Sequence, residues 1–247
     1  MIRPFSSESG YSMLEVLIST ALGTIVLAGV FDLYVSSSNS ILGQTNEVQM
    51  QTNAKAAMDY MTRALKNAYY LPNNIPPSPN ITTTTTAGDT IGFIGIEDAG
   101  YSSGVGNTST LFNDSSKSWT AGGFASGAYY VSIINGQGVG EGPFQILSNT
   151  VSSLTVAAPG WASIPNNNSL YYITRAQAFR RQADNTLRYQ TKNGSFNLLS
   201  ANVTSLAFSQ PDPQSVAITL TAQTQTVDPR TGKPASYTLS DTVRKRN

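Results

Sequence analysis

One segment near the start of the chain constrains everything else. From Tyr11 the sequence reads YSMLEVLISTALGTIVLAGVFDLYVSS, and sixteen uncharged residues, Val16–Phe31, separate Glu15 from Asp32. As a helix those sixteen residues reach only ~24 Å, short of the ~30 Å hydrocarbon core of a bilayer. Tyr11–Val35 reaches ~37 Å, which is enough. A spanning helix must therefore carry Glu15 into the membrane near its cytoplasmic end. An acidic residue costs ~2.5–3.5 kcal/mol at mid-helix on an insertion scale, so Glu15 needs a partner. Asp32 sits at the far end, where Tyr34 supplies an interfacial aromatic ring. An ordinary secretory signal places its charge before the apolar run and small residues after it. Here the small residue, Gly10, comes first.

Composition narrows the chemistry. The 247 residues contain no Cys and no His. That removes disulfides, thiolate or imidazole metal sites, the Cys nucleophile and the commonest general base. Charged residues make up only 12%, about half the usual share, while Ser, Thr, Asn, Gln and Gly abound. The charge is unevenly spread: residues 71–174 hold Lys117 against five carboxylates, and residues 175–247 hold ten basic and four acidic side chains. The step near Arg175 reads as a boundary between two β segments of one ectodomain.

The motif G-YSMLEVLIS resembles the class III signal of type IV pilins and type II secretion pseudopilins. In that family a short leader ends in Gly, an aromatic residue opens the mature chain, and Glu stands fifth. Gly10, Tyr11 and Glu15 match; Tyr11 replaces the usual Phe. The resemblance implies cleavage after Gly10 and N-methylation of Tyr11 by prepilin peptidase. It also implies a helix that anchors in the inner membrane and later packs in a filament core, with Glu15 pairing with the methylated amine of a neighbouring subunit. A free amine at Tyr11 would supply the partner Glu15 needs. Family members often break this helix; with no Pro in the span, Gly23 and Gly29 must supply any local melting.

Beyond Val35 the pattern becomes amphipathic. Ala54, Met58, Met61, Leu65 and Ala68 form one stripe, and Glu47, Lys55, Asp59, Arg63 and Lys66 the polar face. Asp59–Arg63 is an acid-before-base i,i+4 pair. Pro72 biases Leu71 away from αR, which predicts a helix end near Tyr70. Residues 72–90 read as a Pro/Thr-rich loop. Strands are predicted at Ile91–Ile96, Tyr129–Ile134, Phe144–Leu147, Leu154–Val156 and Leu170–Thr174. About fifty residues from Asp114 resemble a small β module of phage and surface proteins. They carry Asp114, Trp119, a turn with Gly138, Gly140 and Gly142, and Trp161. With no Lys-Ser/Thr following, those glycines suit turns rather than a phosphate loop.

In the last third, Asn193-Gly194 signals a hairpin. Val203–Ser209 predicts a strand. Val216, Ile218, Leu220 and Ala222 alternate with polar residues, as do Tyr237, Leu239, Asp241 and Val243, with Asp228–Pro234 between them. Alternation predicts a half-solvated antiparallel sheet whose inner face covers the Ala54–Ala68 stripe. The strand order LRYQ…NVTSLAFS…VAITLTAQT…YTLSDTVRKRN resembles PilW-type minor pilins and the related GspJ- and ComGF-type pseudopilins; the middle third does not.

The expected fold is α+β: a long N-terminal helix, transmembrane then amphipathic, packed on an antiparallel β-sheet domain with an extra small β insertion. The expected divisions are leader 1–10, transmembrane half 11–35 and amphipathic half 36–71. A variable β region follows over 72–174, with the module over about 110–174, then the C-terminal sheet over 175–247. The resemblance implies a minor pilin in the inner membrane, cytoplasmic at its N-terminus and periplasmic at its C-terminal domain, later carried to the surface pilus. It would act in assembly priming or at the tip. Its partners would be other pilins and minor pilins, prepilin peptidase acting on it as substrate, the inner-membrane assembly platform and the lipid bilayer. Nucleic acid is not expected, nor any cofactor, metal or enzymatic activity. Two alternatives stay open: a pseudopilin of type II secretion or competence, and a pilus-displayed adhesin or DNA-binding subunit. Lesser candidates are the sequons at Asn80, Asn107, Asn113, Asn193 and Asn202, the basic tail Arg244–Arg246, and the carboxylates Glu97, Asp98, Asp114 and Glu141. No spaced Asp/Asn loop supports Ca²⁺ at the last group.

Overall fold

The structure, a computed structural model, describes residues 12–70, 89–125, 127–190, 195–228 and 231–245. One helix, α1 (Met13–Lys66), precedes twelve strands: β1 (Ala68–Tyr70), β2 (Thr90–Tyr101), β3 (Leu111–Asn113), β4 (Tyr129–Asn135), β5 (Phe144–Asn149) and β6 (Ser153–Val156), then β7 (Leu170–Arg181), β8 (Leu187–Gln190), β9 (Phe196–Ser200), β10 (Val203–Asp212), β11 (Ser215–Asp228) and β12 (Lys233–Arg244). The fold is α+β, as expected. The 54 residues of α1 make a rod ~81 Å long.

The helix ends earlier than Pro72 alone suggests. Asn67 caps it, donating its N–H to the Arg63 carbonyl at 3.2 Å. Ala68 and Tyr70 then pair with Gly95 and Ile94 of β2. Strand pairing with β2 claims three residues that local pattern assigned to the helix, so the amphipathic half stops at Lys66 rather than 71. Gly23 and Gly29 do not interrupt α1, which is continuous from Met13. A helical glycine costs only ~1 kcal/mol relative to Ala, too little to break the rod.

The strands form two antiparallel sheets. β10, β11 and β12 make the three-stranded one. Its inner face meets the helix through Leu206, Phe208, Val216, Ile218, Leu220, Ala222 and Val243, against Ala54, Met58, Met61 and Leu65. The predicted packing of stripe on sheet is therefore present. Ile91, Phe93, Phe179 and Leu187 of the larger sheet close the same core. Asp241, on the inward alternation of β12, accepts a hydrogen bond from Thr62 of α1 at 3.1 Å.

The larger sheet runs β1-β2-β7-β4-β5-β6-β3, with β8 and β9 added beside β7. It rolls until its far edge returns, and the Ser103 N–H donates to the Asn113 carbonyl at 2.8 Å. The roll encloses a second core of Phe112, Trp119, Tyr129, Val131, Ile146, Trp161, Tyr171 and Ile173. β7 serves both cores. Its first half pairs with β4 and its end with β8, while β2 flanks it throughout. The charge step at Arg175 thus falls inside one continuous strand, not between sheets. The chain passes from one sheet to the other between β9 and β10. Asn193-Gly194 lies outside the described residues, but the hairpin it implies is there: β8 and β9 pair from Leu187↔Ser200 to Gln190↔Phe196.

Candidate functional site

Gly10 and Tyr11 lie outside the described residues; Ser12 opens the described chain. Ser12 is extended (φ −65, ψ 140) and its hydroxyl accepts from the Leu14 N–H at 3.2 Å. That makes Ser12 the N-cap and Glu15 the third helical residue, the Ser-x-x-Glu spacing of a capping box. The sequence reading missed this second role for Glu15, although the spacing was there to be seen. A carboxylate in the first turn also faces the positive end of the helix dipole. Glu15 is exposed and forms no ion pair among the described residues.

From Met13 to Gln49 no residue of α1 is buried; the first is Met50. This free part holds an 18-residue stretch of mean hydropathy 2.0, none of it buried, which makes α1 a candidate membrane span. The apolar residues point all round: Leu14, Leu17, Leu22, Val26, Phe31 and Leu33 are each exposed. A helix apolar on every side belongs in a wholly apolar environment. Its threonines conform, since Thr20 donates its hydroxyl to the Val16 carbonyl at 2.9 Å and Thr24 to the Thr20 carbonyl at 2.8 Å. Each hydroxyl is satisfied within the rod, which lowers the cost of placing it in lipid.

The remaining sequence candidates act as braces. Glu97 is 8% exposed and pairs with Arg175, 3% exposed, at 3.2 Å; Gln177 also donates to it at 2.8 Å. Asp98 accepts from Lys117 at 2.7 Å and from the Trp119 indole at 2.6 Å. Partial burial pushes the Asp98 carboxyl up, but the bonds from Lys117, Trp119 and Ala99 prevail and hold it below its ordinary value. Asp114 accepts from the Tyr171 hydroxyl at 2.7 Å and from Ser116. Burial, then that carboxylate, push the Tyr171 phenol far up, so it stays a proton donor. Glu141 accepts the backbone N–H groups of Ala162 and Ser163. No group of three metal-ligating side chains occurs among the described residues.

Gly138, Gly140 and Gly142 have φ of 89, 80 and 94, the turn role expected of them. Of the sequons, Asn80 and Asn193 lie outside the described residues. The Asn107 amide is engaged by the Ser102 hydroxyl and the Pro165 carbonyl, both at 2.6 Å. Arg244 and Lys245 end the described chain; the Arg244 guanidinium donates to Gln214 at 3.4 Å, and the Lys245 ammonium stands 5.8 Å from the Tyr69 ring. The structure thus gathers the brace residues around the second core and leaves Glu15 alone at the head of the rod. No family model, curated protein or solved structure matches this chain.

Proposed function

We propose that the chain is a type IV pilin-like subunit of the PilW minor-pilin kind, anchored by the free part of α1 and later built into a filament. One observation carries the reading: the first ~26 residues of α1, Met13–Ser38, about 39 Å of mostly apolar helix with none buried, project beyond the β domain, which touches the rod only from about Asn39 onward. A helix with this much uncovered apolar surface must be covered by something. Lipid covers it before assembly and the helices of other subunits cover it after. The Gly10-Tyr11 junction and Glu15 support the reading through the resemblance already described.

Glu15 is the discriminating residue. Glu15→Val leaves membrane insertion intact while impairing incorporation into pili. Glu15→Gln separates two roles, because Gln at the third helical position keeps the spacing of a capping box but carries no charge. If charge pairing between subunits is the mechanism, Gln fails as Val does. If capping is all Glu15 supplies, Gln restores incorporation. Fractionation of protein between inner membrane and sheared pili reads both variants. Wild-type pilus levels for Glu15→Val would sink the charge-pairing mechanism. An intact Met1 in cells with active prepilin peptidase, seen by mass spectrometry, would sink cleavage after Gly10.

A further inference from the structure

The β11–β12 hairpin does not stop where its sheet stops. β10 last pairs with β11 at Val203↔Ala222, yet β11 and β12 continue to Val227↔Pro234 and Asp228↔Lys233. Counted along β12 from Tyr237 to Lys233, since β11 bulges between Gln223 and Val227, this overhang reaches ~14 Å beyond Ala222 at strand rise. It runs beside α1 toward the helix N-terminus. The Asn46 amide donates to the Thr226 hydroxyl at 2.9 Å, and Asn39, Leu42 and Gly43 share a cleft of about 330 Å³ with Val227 and Asp228.

The position along the rod matters. Val35 ends the apolar segment, and Asn39 lies only ~6 Å further along the axis. If α1 spans a bilayer, the hairpin end falls at headgroup depth. Its surface suits that depth. Val227 is 54% exposed, Leu42 is 59% exposed, and Pro234 and Lys233 are exposed at the same level. Apolar groups set among charged ones, here Lys233 and its register partner Asp228, are what an interface between lipid and water accepts. Neither the helix nor the sheet needs the overhang for its core, since the hydrophobic face ends at Ala222 and Tyr237.

We propose that described residues at the far end of the β11–β12 overhang, Val227, Lys233 and Pro234, make a membrane-surface contact. They rest on phospholipid headgroups beside the point where α1 enters the bilayer, and so fix the depth and tilt of the β domain. The proposal rests on α1 being a membrane span, and its test separates the two. The chain has no native Cys, so single cysteines can carry an environment-sensitive bimane. The full chain with Val227→Cys is inserted in phosphatidylethanolamine/phosphatidylglycerol vesicles; Leu198→Cys, exposed on β9, is the water-facing control. Flotation with the vesicles reports insertion. Emission at 227 is expected to shift to the blue relative to 198. Lipids with a nitroxide near the headgroup are expected to quench 227 more than 198, and aqueous iodide to quench it less. If the protein floats but 227 behaves like 198, the hairpin contact is wrong and the span stands. If 227 is shielded from both quenchers, a second copy covers it and the lipid contact is again overturned. If the protein fails to float, the span is wrong and this contact falls with it.

Discussion

The two hydrophobic cores are built on opposite plans. The core under α1 is mainly aliphatic, with Met58, Met61 and Leu65 facing Leu206, Ile218 and Leu220. Its Thr62–Asp241 bond sits at the margin. The rolled module is aromatic and wired with polar atoms. Phe112 packs edge-on to Tyr171 at 4.7 Å, Phe144 to Trp161 at 5.2 Å, and the Tyr171 hydroxyl reaches the buried Asp114. A periodic helix face on a periodic sheet face excludes water by area alone, so it needs no specific polar bonds. A small roll closed by three- to seven-residue strands cannot do this. It relies on side chains that tie its loops down, such as Asn149 at the end of β5, which holds the Thr120 and Thr150 carbonyls at 2.9 Å. The seam between the plans is the Glu97–Arg175–Gln177 cluster on β2 and β7.

The tryptophans make the comparison measurable. There are two, Trp119 and Trp161, and both lie in the module core. Indole emission therefore reads the module, while helical ellipticity reads α1. The largest effect is expected from Met61→Asp, at a fully buried position. An unpaired buried charge, added to the loss of a core side chain, costs about 4 kcal/mol or more. In a domain of this size that lowers the midpoint by roughly 10 °C. Both signals are expected to shift together in the full chain, because β2 and β7 run through both cores. A shift in ellipticity with emission unmoved would show that the cores fold independently.

Arg175→Met addresses the coupling itself. Removing the guanidinium leaves the Glu97 carboxylate buried without its cation, with the Gln177 amide still donating to it. Breaking a buried pair from one side costs about 3–5 kcal/mol, discounted here toward 3 because Gln177 still donates. Emission and ellipticity are then expected to separate on heating, the module melting first. Adding Glu97→Leu is expected to restore most of the stability, because the stranded charge goes with it. Coincident melts in the single variant would mean that the strands alone couple the cores.

The same contrast explains what could be read from the chain beforehand. The helix-side core was legible because its information is local: the spacing Ala54, Met58, Met61, Leu65 and the alternation Val216, Ile218, Leu220, Ala222 each declare a face. The Asp59–Arg63 pair on the polar side is present for the same reason. The module's strands were legible, but not its wiring. Trp119 finds Asp98 across 21 residues and Tyr171 finds Asp114 across 57, and no periodicity encodes such pairings. Arg175 was noticed as a step in charge, yet its role as a buried strut follows from its register opposite Gly95, where a side chain would collide with Gln177. At the candidate site, Glu15 stands out as a carboxylate in an apolar run; its spacing from Ser12 is equally plain in the residues, and the backbone geometry adds that Ser12 is the N-cap.

The smallest effect belongs to Asp98, on the module side, and it depends on pH. Its carboxyl is held below the ordinary value of 3.8, with burial opposed and outweighed by Lys117, Trp119 and Ala99. A carboxylate whose folded value is depressed binds fewer protons in the folded state than in the unfolded state. Its contribution is therefore full above the unfolded value and disappears as pH falls through the folded one. The side chain is 26% exposed and the Lys117 ammonium 22%, so solvent screens the pair and the effect is modest. Asp98→Asn removes the charge but keeps an acceptor for the Trp119 indole. By emission, the variant is expected to melt below the wild type at about pH 6, with the gap narrowing as pH falls below the ordinary carboxylate range and the wild-type carboxyl takes up its proton. Added salt is expected to narrow the gap at pH 6, since screening weakens a part-exposed pair. A variant that melts with the wild type across this pH range would mean that Asp98 acts on the module only through the indole hydrogen bond, which Asn keeps. The ion pair would then be incidental to the polar wiring that distinguishes this core from the one under α1.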